Sequence, residues 1–369
     1  MITAELRRAI SAAAGHDEAD PLLRPGPVPG SYASSLPFRL ARPGQDPRDI
    51  AAALAARLVG EPWIAAAQVT GRGYLTVTVT RDALAGLAVR IARAGPACAA
   101  SDALRGRTVT GPAHVDLAAE PDWPRARAAL AAQLTARLAR AAGATVILSA
   151  ERSVLPPSRP GSPSPADPEQ PMVPPSRPPS PSPADPERPV VPPSGSPFPA
   201  PGQAGPVAAA ISYAGADAVR FALARTPPGA SPPPASVIAR HLLANPAYAV
   251  RYAHAAAAAV LRWAAALGAG PAGPQEFRPR LLAGPEELAL LDALSWLPER
   301  VAMAARRGRP DEFAGYVEGL AARTIDTMST TGFRKVASIG SERLWLAATA
   351  RAGLAASLGL LEVGAPDRL

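Results

Sequence analysis

A single lysine, Lys335, stands among the 38 basic residues of this 369-residue chain, and there is a single cysteine, Cys98. One thiol excludes an intramolecular disulfide and fits a reducing compartment. Aromatic residues are scarce, at 5%, so a ring that falls in a patterned stretch carries weight. No uncharged apolar run approaches the roughly 20 residues that span a bilayer. Arg7 and Arg8 interrupt the first apolar stretch, which excludes the core of a secretory signal. These absences lead to the expectation of a cytoplasmic protein without membrane partners. No residue is assigned as a metal ligand, and no cofactor is expected.

The chain is long enough for two or three domains. Its net charge of +8 is spread out, as +3 over residues 1–100, +1 over 101–205 and +4 over 206–369. Arginine dominance alongside abundant alanine reads first as compositional bias and second as selection for phosphate. A diffuse positive balance permits a polyanionic partner without demanding one.

Four regions are expected. Residues 1–100 read as a small α+β domain: an amphipathic helix carrying Ile2, Leu6 and Ile10, a helix begun by Asp46-Pro47, two strands at 64–70 and 74–80 joined by Gly71-Arg72-Gly73, and a last helix over 81–94. Residues 101–150 read as strand, helix and strand, one βαβ unit, with Leu130, Leu134 and Leu138 in a helical row. Residues 156–173 recur with few changes as 174–191. A duplication this rich in proline and serine cannot bury a core, so 151–206 is expected to be a disordered linker and a possible docking peptide for a protein partner. Residues 207–369 carry helical periods throughout and predict an all-α bundle.

The most patterned stretch is Asn245-Pro246-Ala247-Tyr248-Ala249-Val250-Arg251-Tyr252-Ala253-His254. Asn245 is a favoured N-cap and Pro246 suits the first helical position. Tyr248 and Tyr252 share a face, while Val250, His254, Ala257, Leu261, Ala264 and Leu267 form an inward stripe that ends at Gly268.

This stretch resembles the helix that opens the anticodon-binding bundle of arginyl-tRNA synthetases, and upstream Asp217-Ala218-Val219-Arg220 resembles the Asp-Ala-Leu-Arg signature of that domain. Gly30-Ser31-Tyr32-Ala33 and Gly71-Arg72-Gly73-Tyr74 are similar to segments of the family's additional N-terminal domain, and the closing Ala365-Pro366-Asp367-Arg368 is similar to the family's last residues. The resemblance implies tRNA as partner, arginine tRNA by family. It implies RNA contacts from Tyr248, Arg251, Tyr252 and Arg262 in the bundle and from Tyr74 in the N-terminal domain, with Arg306, Arg307 and Arg309 as a phosphate patch. Arginines answer phosphates, and flat rings stack unpaired bases. Two readings stand side by side for the tyrosines, stacking platform or half-buried packing, and for His254, functional group or satisfied core histidine.

The chain departs from the family in its centre. Residues 110–115 resemble the approach to the class I signature His-x-Gly-His, but after His114 come Asp116 and Leu117 where glycine and the second histidine belong. An aspartate there would repel the phosphate that the histidines stabilise. Ala249 and Ala256 also replace an aromatic and an arginine of the family pattern. Met328-Ser329-Thr330, followed by Lys335, superficially resembles the second class I signature, and its place in the bundle argues for chance. The resulting expectation is a non-catalytic, tRNA-binding relative, similar to actinobacterial synthetase-related anticodon-binding proteins. The alternatives are an arginine–tRNA ligase, which would need ATP and arginine, and a protein-interaction module reusing the bundle.

Overall fold

The computed structural model describes residues 1–15, 20–149, 205–334 and 339–369. The tandem proline-rich repeat and Lys335 lie outside the described residues.

The N-terminal domain comprises α1 (Ile2–Ala14), β1 (Leu23–Pro25), β2 (Ser31–Ser34), α2 (Leu36–Leu40), α3 (Pro47–Leu58), β3 (Ile64–Thr70), β4 (Tyr74–Val79), α4 (Arg81–Ala85) and α5 (Leu87–Ala94). Its four strands are all antiparallel, in the order β1-β2-β4-β3. Ile2, Leu6 and Ile10 are buried on α1, and Leu54 and Leu58 on α3. Asp46 caps α3, its Oδ1 accepting from the Arg48 N–H at 2.8 Å. The hairpin needs its glycines: Gly71 has φ 57°, and Gly73 has φ 125° with its Cα set against Pro47 so closely that a Cβ would lie 2.9 Å from the proline ring. The structure corrects one sequence reading: the helix expected over 81–94 is broken at Gly86 into two. It also adds the short strand β1 before Gly30.

The centre contains β5 (Thr108–Pro112), α6 (Trp123–Ala141) and β6 (Thr145–Ser149), with the strands parallel and Thr108 opposite Thr145. Leu130, Leu134 and Leu138 of α6 are fully buried. This unit would be marginal alone, but α6 packs on a helix of the bundle, α12 (Leu297–Arg307).

The bundle's other helices are α7 (Pro206–Ala214), α8 (Ala216–Arg225), α9 (Ala235–Ile238), α10 (Pro246–Ala266), α11 (Pro285–Ser295), α13 (Pro310–Ser329), α14 (Thr331–Arg334) and α15 (Ser341–Leu360). α15 packs on α10 and α13 and also on α5 of the N-terminal domain. One expectation changes here: Leu267 is exposed beyond the end of α10, because the inward stripe closes at Ala264. Helix α9 stops at Ile238, and Leu242 and Leu243 beyond it are exposed.

The N-terminal domain docks directly on the start of α12 and the end of α11. Arg7 donates to both Glu299 oxygens, each at 2.6 Å. The Gly30 N–H donates to Asp292 at 2.9 Å, and the Tyr32 hydroxyl bonds Ser295 Oγ at 2.9 Å. The Tyr32 ring lies 5.3 Å from that of Trp296. Gly30-Ser31-Tyr32-Ala33 is therefore the docking edge between two domains. Arg7→Ala leaves the buried Glu299 carboxylate unpaired and should lower the free energy of unfolding by about 3 kcal/mol. Arg7→Met with Glu299→Leu should lose much less, a difference that urea denaturation of the two variants measures.

Candidate nucleic-acid interface

The site is built on the start of α10. The Asn245 side chain accepts from the Ala247 N–H at 3.2 Å, closing the helix end, and its amide donates to the carbonyls of Ile238 (2.8 Å) and Arg240 (2.6 Å). One buried side chain thus caps the helix and holds the preceding loop. Tyr248 and Tyr252 stack one turn apart, with centroids 5.9 Å apart and planes at 29°. His241 also stacks on Tyr248, with centroids 5.4 Å apart and planes at 13°.

Beyond the rings, an open groove of about 650 Å³ runs between α10, the end of α13 with Phe333, and residues 367–369. Its floor on α10 is alanine, at Ala255, Ala256 and Ala259, small side chains that leave the groove wide. Tyr252, 37% exposed, and Trp263, 57% exposed, stand along it, with Arg262 and Arg368 contributing positive charge. Such a surface suits stacking of planar rings on its separate aromatic side chains, with a phosphate held by guanidinium. Ala256, where the family carries arginine, belongs to the floor, while Ala249 is buried.

The far wall exists because the closing segment is pinned. His254 Nδ1 lies 2.9 Å from the Pro366 carbonyl oxygen. A carbonyl can only accept, so the Nδ1 carries the proton. Arg351 forms a bidentate pair with the Asp367 carboxylate, both contacts at 3.0 Å, and Arg262 donates to the Asp367 carbonyl. Arg351 accordingly holds the Asp367 carboxyl below its usual range. His254 is thus a satisfied buried histidine that positions the groove's rim.

The remaining sequence-selected residues lie elsewhere. Arg251 does not line the groove; its Nε is 3.9 Å from Asp217 on α8. Asp217 lies against Gly364, and Arg220 donates to Glu362 at 2.6 Å, so the Asp-Ala-Val-Arg segment holds the same closing segment from its other side. Tyr74 is on β4 of the N-terminal domain, tilted against Phe38 at 4.9 Å, while Thr76 is buried and bonded to Thr70. Arg306, Arg307 and Arg309 each face a carboxylate, of Asp20, Glu312 and Asp311 respectively. In the centre, His114 is exposed, Asp116 caps a short turn by accepting from the Ala118 N–H at 3.0 Å, and Leu117 is buried.

Sequence reasoning missed His241, Trp263 and Phe333. The signal for Trp263 was present, since residues 252, 255, 259 and 263 follow helical spacing, but alanines carried that face and hid it. His241 and Phe333 reach the site only through the tertiary fold.

Burial holds the His254 imidazole below its ordinary value of 6.5, in spite of the Pro366 carbonyl. As pH falls through that value, the unfolded chain takes up a proton that the folded ring resists, so stability present above it is lost below. Between about pH 7.5 and about pH 5.5 the wild type should therefore lose more stability than His254→Gln, as read from urea midpoints at both values.

Comparison with known proteins agrees with the architecture. The model for the arginyl tRNA synthetase N terminal domain matches residues 1–79, and that for the DALR anticodon binding domain matches residues 250–369. The arginine–tRNA ligase of Clavibacter sepedonicus is 36% identical over 165 residues, which cover 43% of this chain and 29% of the ligase. That of Micrococcus luteus is 37% identical over 127 residues, covering 32% and 21%. The chain thus spans less than a third of the length of these curated relatives. The solved Thermus thermophilus arginyl-tRNA synthetase shares the fold, with a TM-score of 0.62 at 15% identity and a superposition covering 100% of each chain. With a family domain at each end and ligases among its similar sequences, the chain is a relative of the arginyl-tRNA synthetases.

Proposed function

We propose that this chain binds tRNA at the anticodon arm through the α10 groove and does not itself charge it with arginine. The observation that carries the reading is the groove: an alanine floor, the exposed rings of Tyr252 and Trp263, and guanidinium groups at its edge, within the region matched by the anticodon-binding model. Unpaired loop bases offer flat faces for these rings, and their phosphates offer charge for Arg262 and Arg368. The arrangement asks for no movement of the rim, because His254, Arg262 and Arg351 already hold it.

The non-charging part rests on the centre. Asp116 and Leu117 occupy the positions of the class I glycine and second histidine. The first caps a turn and the second packs inside, so neither is placed to stabilise a transferring phosphate. Among the described residues the parallel sheet has two strands.

Titration with total tRNA should give affinity that falls linearly on a log–log salt plot, with a slope counting the phosphates neutralised. Tyr252→Ala with Trp263→Ala should weaken binding at least about tenfold, since each stacked base contributes on the order of 1 kcal/mol or more. Arg262→Ala should weaken it too, and more than Arg251→Ala, whose guanidinium faces Asp217 instead of the groove. Retention of full affinity by the double aromatic variant would place the RNA elsewhere. ATP–pyrophosphate exchange with arginine and tRNA present should stay at background, and turnover above it would restore the ligase reading.

A further inference from the structure

Three near-parallel rings in a protein this poor in aromatics need an explanation beyond the groove. His241 and Tyr248 are stacked at 13°, and Tyr248 and Tyr252 at 29°. Tyr248 and Tyr252 both line the groove, which His241 does not. His241 is an exposed residue with one ring face stacked on Tyr248, which leaves its second face as the outer end of the column. We propose that this outer face is a second stacking platform, which takes an unpaired nucleobase of a single strand lying past the start of α10 and outside the groove.

Three further observations support the assignment. The platform is rigid, because Asn245 grips the Ile238 and Arg240 carbonyls and fixes the backbone on which His241 sits. A stacking surface held in place before binding costs less ordering entropy than a mobile one. Arg240, next in the chain, is exposed and forms no ion pair among the described residues, so it is available to a phosphate linking the bases. Leu242 and Leu243 follow, 56% and 52% exposed, and add apolar surface beside the ring that folding does not use. Sugar and base edges fit such a surface, whereas a bare electrostatic patch would carry polar residues there.

The ligand class is single-stranded RNA longer than the groove alone can hold. The inference rests on the groove as an RNA site and extends it by one platform. Tyr248, the ring between the two ends, already stacks on both neighbours, so no base intercalates there. The column acts as a spacer that sets the distance between two base positions.

Fluorescence anisotropy of the full chain against labelled oligouridines of about four and about ten nucleotides tests this directly. Wild type should bind the longer strand more tightly. His241→Ala should weaken the longer strand about tenfold and leave the shorter within about twofold. His241→Phe, which keeps a ring in the column, should retain the wild-type ratio. Equal affinities of wild type and His241→Ala for the long strand would overturn the platform, and would leave the exposed leucines to a protein partner. An equal loss at both lengths would overturn it as well, marking His241 as a support for Tyr248 only. If the wild type binds neither oligouridine nor tRNA, the groove reading itself fails and the platform fails with it.

Discussion

The Glu362 carboxylate draws donors from separate parts of the chain: Arg220 of α8 at 2.6 Å, Arg137 of α6 at 2.8 Å, and the Gln133 amide of α6 at 3.0 and 3.1 Å. Arg137 also reaches the Gly359 carbonyl at the end of α15. A carboxylate with this many charged and amide donors is held more firmly than a surface ion pair, because each donor is already oriented. Glu362 adopts φ 55°, a left-handed conformation that a side chain of its size occupies at a cost. The donors offset that cost, and the turn they hold sends residues 363–369 back along α10. Everything at the groove's rim follows from this turn.

The family signature on α8 gains a physical meaning from this arrangement. Arg220 fixes the turn after α15, and Asp217 lies against Gly364 two residues later while also facing Arg251. His254 and Arg351 then secure Pro366 and Asp367. These signature residues hold the strand that walls the groove. On the function proposed above, recognition falls instead to groove residues such as Trp263 and the alanines of α10. A charged residue paired inside the protein is a poor RNA contact, since releasing it exposes an unpaired partner.

The same logic applies to the N-terminal domain. Its Gly-x-Tyr-Ala segment is consumed by docking, through Gly30 to Asp292 and Tyr32 to Ser295 and Trp296. The bidentate Arg7–Glu299 pair adds a geometric lock. Burial pushes the Asp292 carboxyl above its usual range, opposed by the hydrogen bond it accepts from the Gly30 N–H. The βαβ unit is likewise supported from outside, by α12 beneath α6 and by Glu362. Its persistence as a small two-stranded unit in the described structure follows from those supports, since so short a sheet has little core of its own.

Much of the fold was legible in the amino-acid order, because it rests on local rules. The Asn245-Pro246 cap, the Asp46-Pro47 helix start, the Gly71-Arg72-Gly73 hairpin and the apolar rows of α1 and α6 are set within a few residues of one another by periodicity and capping. Local rules failed where burial was decided at a distance. Gly86 breaks a helix whose pattern continues through it, α9 ends before its apolar residues do, and β1 is three residues long and exists only by pairing with β2. At the site, sequence alone determined that Tyr248 and Tyr252 share a helix face, since that depends only on 3.6 residues per turn. The tertiary structure alone decided which charges are free and where the groove lies. Whether Arg251 meets RNA or Asp217, whether His254 is a ligand or a buried strut, and whether His241 completes a stack all depend on contacts between residues far apart in sequence, which no local pattern encodes.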